Sequence, residues 1–464
     1  QGTFGAELGA GAKQMRTAIN AADKAGTDLF AADSSRLLKP LVLLGDKYRT
    51  GDTQTPAISY PIAQPDPIDQ AGLSTFAKGI MADWSVYYTR QINPSQTDLG
   101  TFICEKSLVT NGTCQMYTFP TTTNGTATEL LSDASEWTST GLYALPGKSI
   151  TVTRTDNNTT AEAGIFFNFH RVGTSRSVAS YDRPQFMQSP IMLLSPGESR
   201  TFTTPYGGPI YLRLNGNSTI SGTSVSFNFT GVAKHAAVLD IGDSAQAQAF
   251  IAGVQTNPLP HVDIRGEGFE AHMRIDKFLN SVNAPINLSQ KRNGTKLTID
   301  YSGDVEQLFS DYRDYFVGSV YNLAGFKLPG ETLSSTLSAD VQSICQNFGW
   351  DCTDETIHRR NKRQHANYDQ YANCGAGCSG NPYDAAWNIS ALGWGDSHEL
   401  GHNLQTKPLN AHWITEANRN DWSAYSNRAG ENSNNIFPYN TVWNYYRNRS
   451  AESIQQAHIP CCSA

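Results

Sequence analysis

The spacing of apolar residues changes twice along the 464-residue chain and divides it into three stretches. From residue 1 to about 132 the apolar positions recur at helical intervals. Leu8, Met15, Ile19 and Ala22 mark one amphipathic stripe, and Phe76, Ile80, Met81, Trp84, Tyr87 and Tyr88 mark a second. Between them, Thr53 to Gln70 carries Pro56, Pro61, Pro65 and Pro67 and reads as a loop or linker. From about Asp133 the period becomes two. Ser149 to Arg154, Ile165 to Phe169, Pro209 to Leu214 and Ser224 to Phe229 alternate or run apolar between Gly, Pro and Asn turns, a pattern that predicts a β-sandwich over 133–235. Sandwiches often bind sugars, and Phe167, Tyr206 and Tyr211 are of the type that stacks on a ring; filling the core is the simpler role for each. From residue 236 the pattern is mixed. Lys296 to Tyr301 reads as a strand. Asp304 then opens a helix with Val305, Leu308, Phe309, Tyr312 and Phe316 on one face.

Composition narrows the function classes. A chain of this length exceeds one core, so two or three domains are expected. Charged residues make up only 17%, while Asn, Thr, Ser, Gly and Tyr are plentiful, the look of a secreted, polar-surfaced protein. A net charge of −7 argues against nucleic acid as a partner, and no apolar run approaches a membrane span. A monomer is expected. The chain opens on Gln1 with no signal peptide, as a mature or trimmed form would. Eight cysteines fit disulfides formed in an oxidising compartment, with Cys104 and Cys114, Cys345 and Cys352, and Cys374 and Cys378 close enough for local loops. Cys374-Gly-Ala-Gly-Cys378 resembles half a metal knuckle, but no second pair has matching spacing. Sequons at Asn111, Asn124, Asn217 and elsewhere would carry sugar only in a secretory eukaryotic host. The basic run from His358 to His365 reads as a solvated loop.

The chemistry concentrates in Gly393-Trp394-Gly395-Asp396-Ser397-His398-Glu399-Leu400-Gly401-His402-Asn403-Leu404-Gln405. On a helix, His398 and His402 lie one turn apart on the same face, where two imidazoles can share one tetrahedral Zn²⁺. Glu399 then stands beside the open coordination position, as a general base requires. Asp396 or Ser397 can cap the helix, Leu400 and Leu404 repeat at the buried spacing, and Pro408 limits its extension. A solvated helix with two surface histidines is the bland alternative, and it leaves the agreement of cap, stripe and motif unexplained. The metzincin pattern is excluded, because Gln405 and Pro408 stand where it needs Gly and His. A third ligand must therefore come from elsewhere. Glu416 and Glu431 are the downstream carboxylates, and His412 follows Pro408 in an undefined direction.

Gly393-Trp394, the run from His398 to Gln405, and Gly430-Glu431-Asn432-Ser433-Asn434-Asn435-Ile436-Phe437 together resemble the enhancin-type, mucin-directed gluzincin metallopeptidases. Trp137, Thr140 to Gly147, Ile150-Thr151-Val152 and Gly207 to Leu212 resemble the family's sandwich region, so the likeness covers roughly residues 134–450. The resemblance implies that Glu431, rather than Glu416, completes the site. It also implies peptide-bond hydrolysis beside O-glycosylated Ser or Thr. The expected fold class is α+β multidomain, with a helical accessory region over 1–132, the β-sandwich over 133–235 and a gluzincin-type zinc metallopeptidase domain over 236–464. Gluzincins usually add a helical lobe after the third ligand, whereas 33 residues follow Glu431, so the chain reads as C-terminally truncated. The expected function is a secreted zinc endopeptidase acting on O-glycosylated protein substrates, with His398, His402 and Glu431 as ligands and Glu399 as base. Two other classes remain open at this point: a glycan-binding adhesin with a vestigial site, and a zinc hydrolase acting on something other than peptides.

Overall fold

The computed structural model describes residues 120–317 with short gaps, the longest 169–179. It also describes elements at 62–63, 70–86, 90–92, 109–110, 113–114, 339–349, 364–368 and 383–384, and isolated positions between 14 and 48. The chain is a mixed helix and sheet protein in two compact units. The first comprises residues 1–236, 256–261 and 369–373; the second comprises 237–255, 262–368 and 374–464. Among the described residues, no helix is long and apolar enough to cross a membrane.

In the first unit the second helical stripe forms α1 (Gln70–Val86), with Phe76 buried. The stripe from Leu8 to Ala22, and Tyr87 and Tyr88, lie outside the described residues. The proline-rich stretch contains a short strand, β1 (Ile62–Ala63), paired antiparallel with β9 (Ser180–Tyr181). A small hairpin joins β3 (Val109–Thr110) to β4 (Thr113–Cys114). Each candidate cysteine pair has at least one member outside the described residues.

Nine strands make the main sheet. They are β2 (Arg90–Ile92), β5 (Thr123–Leu130), β6 (Ser135–Ala144), β7 (Ile150–Arg154), β8 (Glu162–Phe167), β10 (Met192–Leu194), β11 (Ser199–Thr203), β12 (Gly208–Asn215) and β13 (Ser224–Lys234). Their order is β10-β8-β12-β6-β13-β7-β11-β2, with β5 also on β13. The pairings are antiparallel. The period of two is plain in β7, where Ile150, Val152 and Arg154 are buried while Thr151 and Thr153 are half-buried. The outward hydroxyls pair across strands, Thr151 with Thr201 and Thr153 with Ser199, both at 2.9 Å.

The joint of the sheet is β13. Its residues Phe227–Thr230 lie between β5 and β7, and Ala233 and Lys234 then pair with β6. The change of partner falls at Gly231, whose φ of 77° suits glycine and whose Cβ, if present, would stand 2.5 Å from the Ser149 carbonyl oxygen. Ile165, Phe167, Leu212 and Leu214 from one end of the sheet share a hydrophobic cluster with Val152, Phe202, Phe227 and Phe229 from the other.

Two expectations change here. The sheet takes in β2 (Arg90–Ile92) and β5 (Thr123–Leu130), both ahead of residue 133, where the period of two was expected to start. The sequence of β5, Thr-Asn-Gly-Thr-Ala-Thr-Glu-Leu, is nearly devoid of apolar residues and is mostly exposed, so no alternation announces it. The sugar-stacking role fails for two of the three aromatics. Phe167 and Tyr211 are buried to 1% and 0% exposure, and Tyr211 packs against Phe166 and Trp137 at centroid distances of 5.2 and 5.0 Å. Tyr206 lies outside the described residues.

One buried charge crosses this core. Arg154 is 1% exposed, and its guanidinium donates to Asp156 through Nε and Nη2, at 2.9 and 3.0 Å. It also donates to the carbonyls of Ala161, Leu194 and Asn158. Asp156 accepts in addition from the backbone N–H groups of Asn158 and Ser226.

The second unit holds a five-stranded sheet in the order β14 (Ala236–Val238), β15 (His261–Gly266), β16 (Phe269–Arg274), β19 (Gln364–Tyr368) and β20 (Tyr383–Asp384). The pairs β16–β19 and β19–β20 are parallel. Gln364 and His365, the end of the basic run, thus open a strand, and the rest of that run lies outside the described residues. Around the sheet stand α2 (Ser244–Val254), α3 (Ile275–Asn283), the hairpin of β17 (Ile286–Arg292) and β18 (Thr295–Ile299), α4 (Val305–Asp311) and α5 (Ala339–Phe348). Both Asp caps work as their type demands. Asp243 accepts from the N–H groups of Ala245 and Gln246 at the start of α2, and Asp304 accepts from Gln307 N–H at the start of α4. Phe250 packs on Phe278 and Phe309, at 5.4 and 5.8 Å between centroids, which ties α2 to α3 and α4.

These contacts generate two stability predictions. Burial pushes the Asp156 carboxyl up, but the hydrogen bonds from Arg154, Ser226 and Asn158 outweigh it and hold the carboxyl below its ordinary value. A depressed folded-state value means stability that is present above the unfolded value of about 3.9 and is lost as pH falls through the folded value. Asp156→Ala leaves the Arg154 charge buried without its carboxylate and is expected to cost about 3 kcal/mol in denaturant unfolding at neutral pH. The acid limb of a stability–pH curve is expected to be shallower in Asp156→Asn than in the wild type. Asp304→Ala removes a helix cap and is expected to cost about 1 kcal/mol in the same assay.

Candidate functional site

Along the chain, the second unit's sheet precedes the His-Glu-x-x-His motif. β20 ends at Asp384, and the motif begins at His398. The register of its last pairs is Ala366 with Tyr383 and Asn367 with Asp384. Parallel partners cannot be joined by a tight turn, so a connection such as that from β16 to β19 must leave the sheet and return. The connection from β16 to β19 does so through α3, the β17–β18 hairpin, α4 and α5. β15 and β16 are neighbours joined by two residues, with Gly268 at φ 85° in the turn.

Within β15 and β16 the apolar positions Val262, Ile264, Ala271 and Met273 are buried, and so are polar residues between them. Asp263, Glu270 and His272 are each at 0% exposure. The Nδ1 atom of His272 lies 2.8 Å from Asp263 Oδ1, and its Nε2 lies 3.5 Å from Glu270 Oε2. Both ring nitrogens thus face carboxylate oxygens. The ring is thereby fixed in orientation between two acids. Burial closes the cluster to solvent, which makes it an internal brace of the sheet. Sequence reasoning missed it. The signal was the alternation of Asp263 with Val262 and Ile264, which looks like a half-exposed strand until both faces prove to be covered.

Among the described residues, no group of three or more His, Cys, Asp or Glu side chains is arranged to hold a metal ion. The predicted ligands His398, His402 and Glu431, the predicted base Glu399, the competing Glu416 and His412, and Trp394 all lie outside the described residues. The structure neither brings them together nor separates them. Their chemistry can still be tested against the ion. Two imidazoles at i and i+4 with a distant carboxylate, and a second carboxylate beside the first imidazole, form the donor set of a catalytic zinc centre and fit that ion. A structural zinc site would instead close the tetrahedron with a fourth protein ligand.

Comparison with known proteins gives three matches in order along the chain. Residues 1–91 match the immunomodulating metalloprotease helical domain, residues 115–228 the N-terminal domain of M60-like peptidases, and residues 327–458 the family described as Peptidase M60, enhancin and enhancin-like. The chain is 32% identical over 441 residues to the immunomodulating metalloprotease of Pseudomonas aeruginosa, covering 93% of this chain and 42% of that protein. It therefore spans less than half of that relative's length. A structure of IMPa from Pseudomonas aeruginosa in complex with an O-glycopeptide superposes with a TM-score of 0.71 at 27% identity, covering 95% of this chain and 47% of that one. IMPa metallopeptidase in complex with T-antigen superposes with a TM-score of 0.70 at 28% identity and the same coverage. The last of the three matched regions contains His398, Glu399, His402 and Glu431, the residues singled out for their spacing. With a helical module, an M60-type N-terminal module and the peptidase module in succession, the chain belongs to the enhancin and enhancin-like M60 peptidase family.

Proposed function

We propose that this chain is a zinc endopeptidase that hydrolyses peptide bonds in O-glycosylated, mucin-type proteins outside the cell. The observation that carries the reading is an intact His398-Glu399-x-x-His402 within the matched peptidase region of a chain 32% identical to the immunomodulating metalloprotease. The glycoprotein preference is supported by the O-glycopeptide and T-antigen complexes of IMPa. In this reading the nine-stranded sheet is a β-sandwich ahead of a gluzincin-type catalytic domain, and the protein acts as a secreted monomer. Cysteine pairs such as Cys345 with Cys352 form disulfides after export.

His398, His402 and Glu431 are the residues that would hold the ion. When bound, zinc supplies a Lewis acid and lowers the pKa of a water to about 7. Glu399 receives the proton of the attacking water and delivers it to the leaving amine. One residue cannot do this and ligate at once, so the third ligand lies away from the motif, and the resemblance to the enhancin-type peptidases favours Glu431 over Glu416 for it. An adhesin with a vestigial site has no use for Glu399, so the intact base favours catalysis.

The test is incubation with an O-glycosylated mucin fragment, with and without a chelator and after enzymatic deglycosylation. Cleavage that is lost on chelation, restored by zinc and absent from the deglycosylated fragment is the expected result. Binding without cleavage by the metal-loaded protein overturns the peptidase reading. Glu399→Ala is expected to lower kcat/KM by at least about a hundredfold while zinc content by metal analysis stays at the wild-type level. Glu431→Gln is expected to lose zinc, and Glu416→Gln to retain it; the reverse pattern would reassign the third ligand.

A further inference from the structure

The joint between α4 and the turn that follows it contains a carboxyl in an unusual setting. Asp311 closes α4 at 3% exposure, and the chain continues as a π-helical turn over Tyr312–Val317. The Tyr301 hydroxyl donates to Asp311 Oδ2 at 2.7 Å, and Gln307 Nε2 donates to Oδ1 at 2.6 Å. Both donors are neutral. The charged groups that act on Asp311 among the described residues are Asp314, in the π-helical turn, and Asp304, at the start of α4, both of them acids. Arg313 is engaged with Asp314 at 2.8 Å on the exposed side. The aromatic neighbours are apolar. Tyr312 stacks on Phe269 of β16 at 5.1 Å and an interplanar angle of 9°, and Phe309 lies against Phe250. A carboxylate placed here is removed from water, faces like charge and, among the described residues, is met by a hydroxyl and an amide donor.

We propose that Asp311 is an acid-tightened latch, whose protonation fixes α4 and the π-helical turn against β16 and whose ionisation loosens them. The physical argument is one of competing costs. Two neutral hydrogen bonds favour the ionised form, while burial and two neighbouring carboxylates favour the protonated form. Burial pushes the Asp311 carboxyl up, Asp314 and Asp304 push the same way, and the balance lies above the ordinary carboxylate value. The sign follows from linkage. An acid with a raised folded-state value contributes stability that is complete below the unfolded value and is lost as pH rises through the folded one. The π-helical turn is the element placed to respond, since its first residue carries the ring that stacks on the sheet. A π-turn breaks the regular hydrogen-bond ladder of a helix and is a frequent place for a helix to yield.

Amide hydrogen exchange of residues 301–317 in the full chain, corrected for the intrinsic rate at each pH, tests the latch. Protection in the wild type, relative to Asp311→Asn, is expected to rise on acidification through the window between the raised folded value and the unfolded value. The increase can reach about tenfold per pH unit, the limit for uptake of a single proton. Tyr301→Phe removes a donor that favours the ionised form, so it is expected to move the same transition to higher pH. The carboxyl carbon shift of labelled Asp311 reports its titration directly, even if Asp311→Asn is poorly folded. A titration at or below the ordinary aspartate range overturns the proposal. So do pH profiles of protection that coincide in the wild type and a folded Asp311→Asn.

Discussion

A guanidinium cannot shed its charge inside a protein, and the N-terminal sheet is arranged around that fact at Arg154. Hydrophobic burial is non-directional, so the apolar cluster from Val152 to Phe229 says that strands collapse together but not which carbonyl faces which donor. Arg154 supplies the direction. Its donors reach Asp156 just beyond β7, Asn158 and Ala161 in the connection to β8, and Leu194 at the end of β10. Asp156 in turn takes the Ser226 N–H of β13. Strands far apart in sequence are thereby held to one relative placement. A well-packed apolar residue in place of such an ion pair is often neutral or stabilising, so the contribution of Arg154 is to specificity more than to stability.

The second unit buries its polar groups beside partners of another kind. His272 sits between Asp263 and Glu270, and Asp311 sits under Tyr301 and Gln307. The contrast with Asp156, half-buried beside Arg154, is instructive. Around Asp156 the donors include a permanent cation and two backbone N–H groups, and the ionised form wins. Around Asp311 the donors are neutral and the nearest charges are acids, and burial wins. The direction of a shift therefore follows from the inventory of partners, and burial alone does not set it.

What could be read from the sequence divides along the same physical line. Asp304 and the face carrying Val305, Leu308, Phe309 and Tyr312 were legible because a cap and a helical stripe are local patterns, and the structure shows that cap and those buried residues. The strand at Ile150–Arg154 was legible because one face is buried and the period is two, and that at Gly208–Asn215 because it runs apolar between turns, with Gly208 to Leu212 all buried. β5 was not, since an exposed strand of Thr, Asn and Gly has no apolar rhythm. Nor was the switch of β13 between partners, which depends on one glycine at positive φ meeting a carbonyl from another loop. The brace at His272 escaped for a related reason: polar alternation predicts an exposed face, and only tertiary cover reverses that. In the peptidase region the motif and the family were legible, because His398, Glu399 and His402 are fixed by spacing on one chain segment. The geometry of those residues lies outside what the structure describes.

That division also explains why the third ligand was the hardest residue to assign. Two imidazoles one helical turn apart are a local device, and they arise wherever His-Glu-x-x-His falls on a helix. They leave a tetrahedral ion two positions short, and in the proposed reading Glu399, as the base, must be kept out of both. A carboxylate from elsewhere can close one position only if the fold brings a second segment to the metal and leaves the other open to water. Glu416 and Glu431 satisfy the chemistry equally, since both are downstream acids of the same type. What separates them is placement, and no spacing rule encodes it. The matched peptidase region spans both residues, so family membership narrows the search without completing the coordination. In the proposed reading, completion would fall to a residue distant in sequence, which would make the catalytic centre a tertiary property built on a local motif.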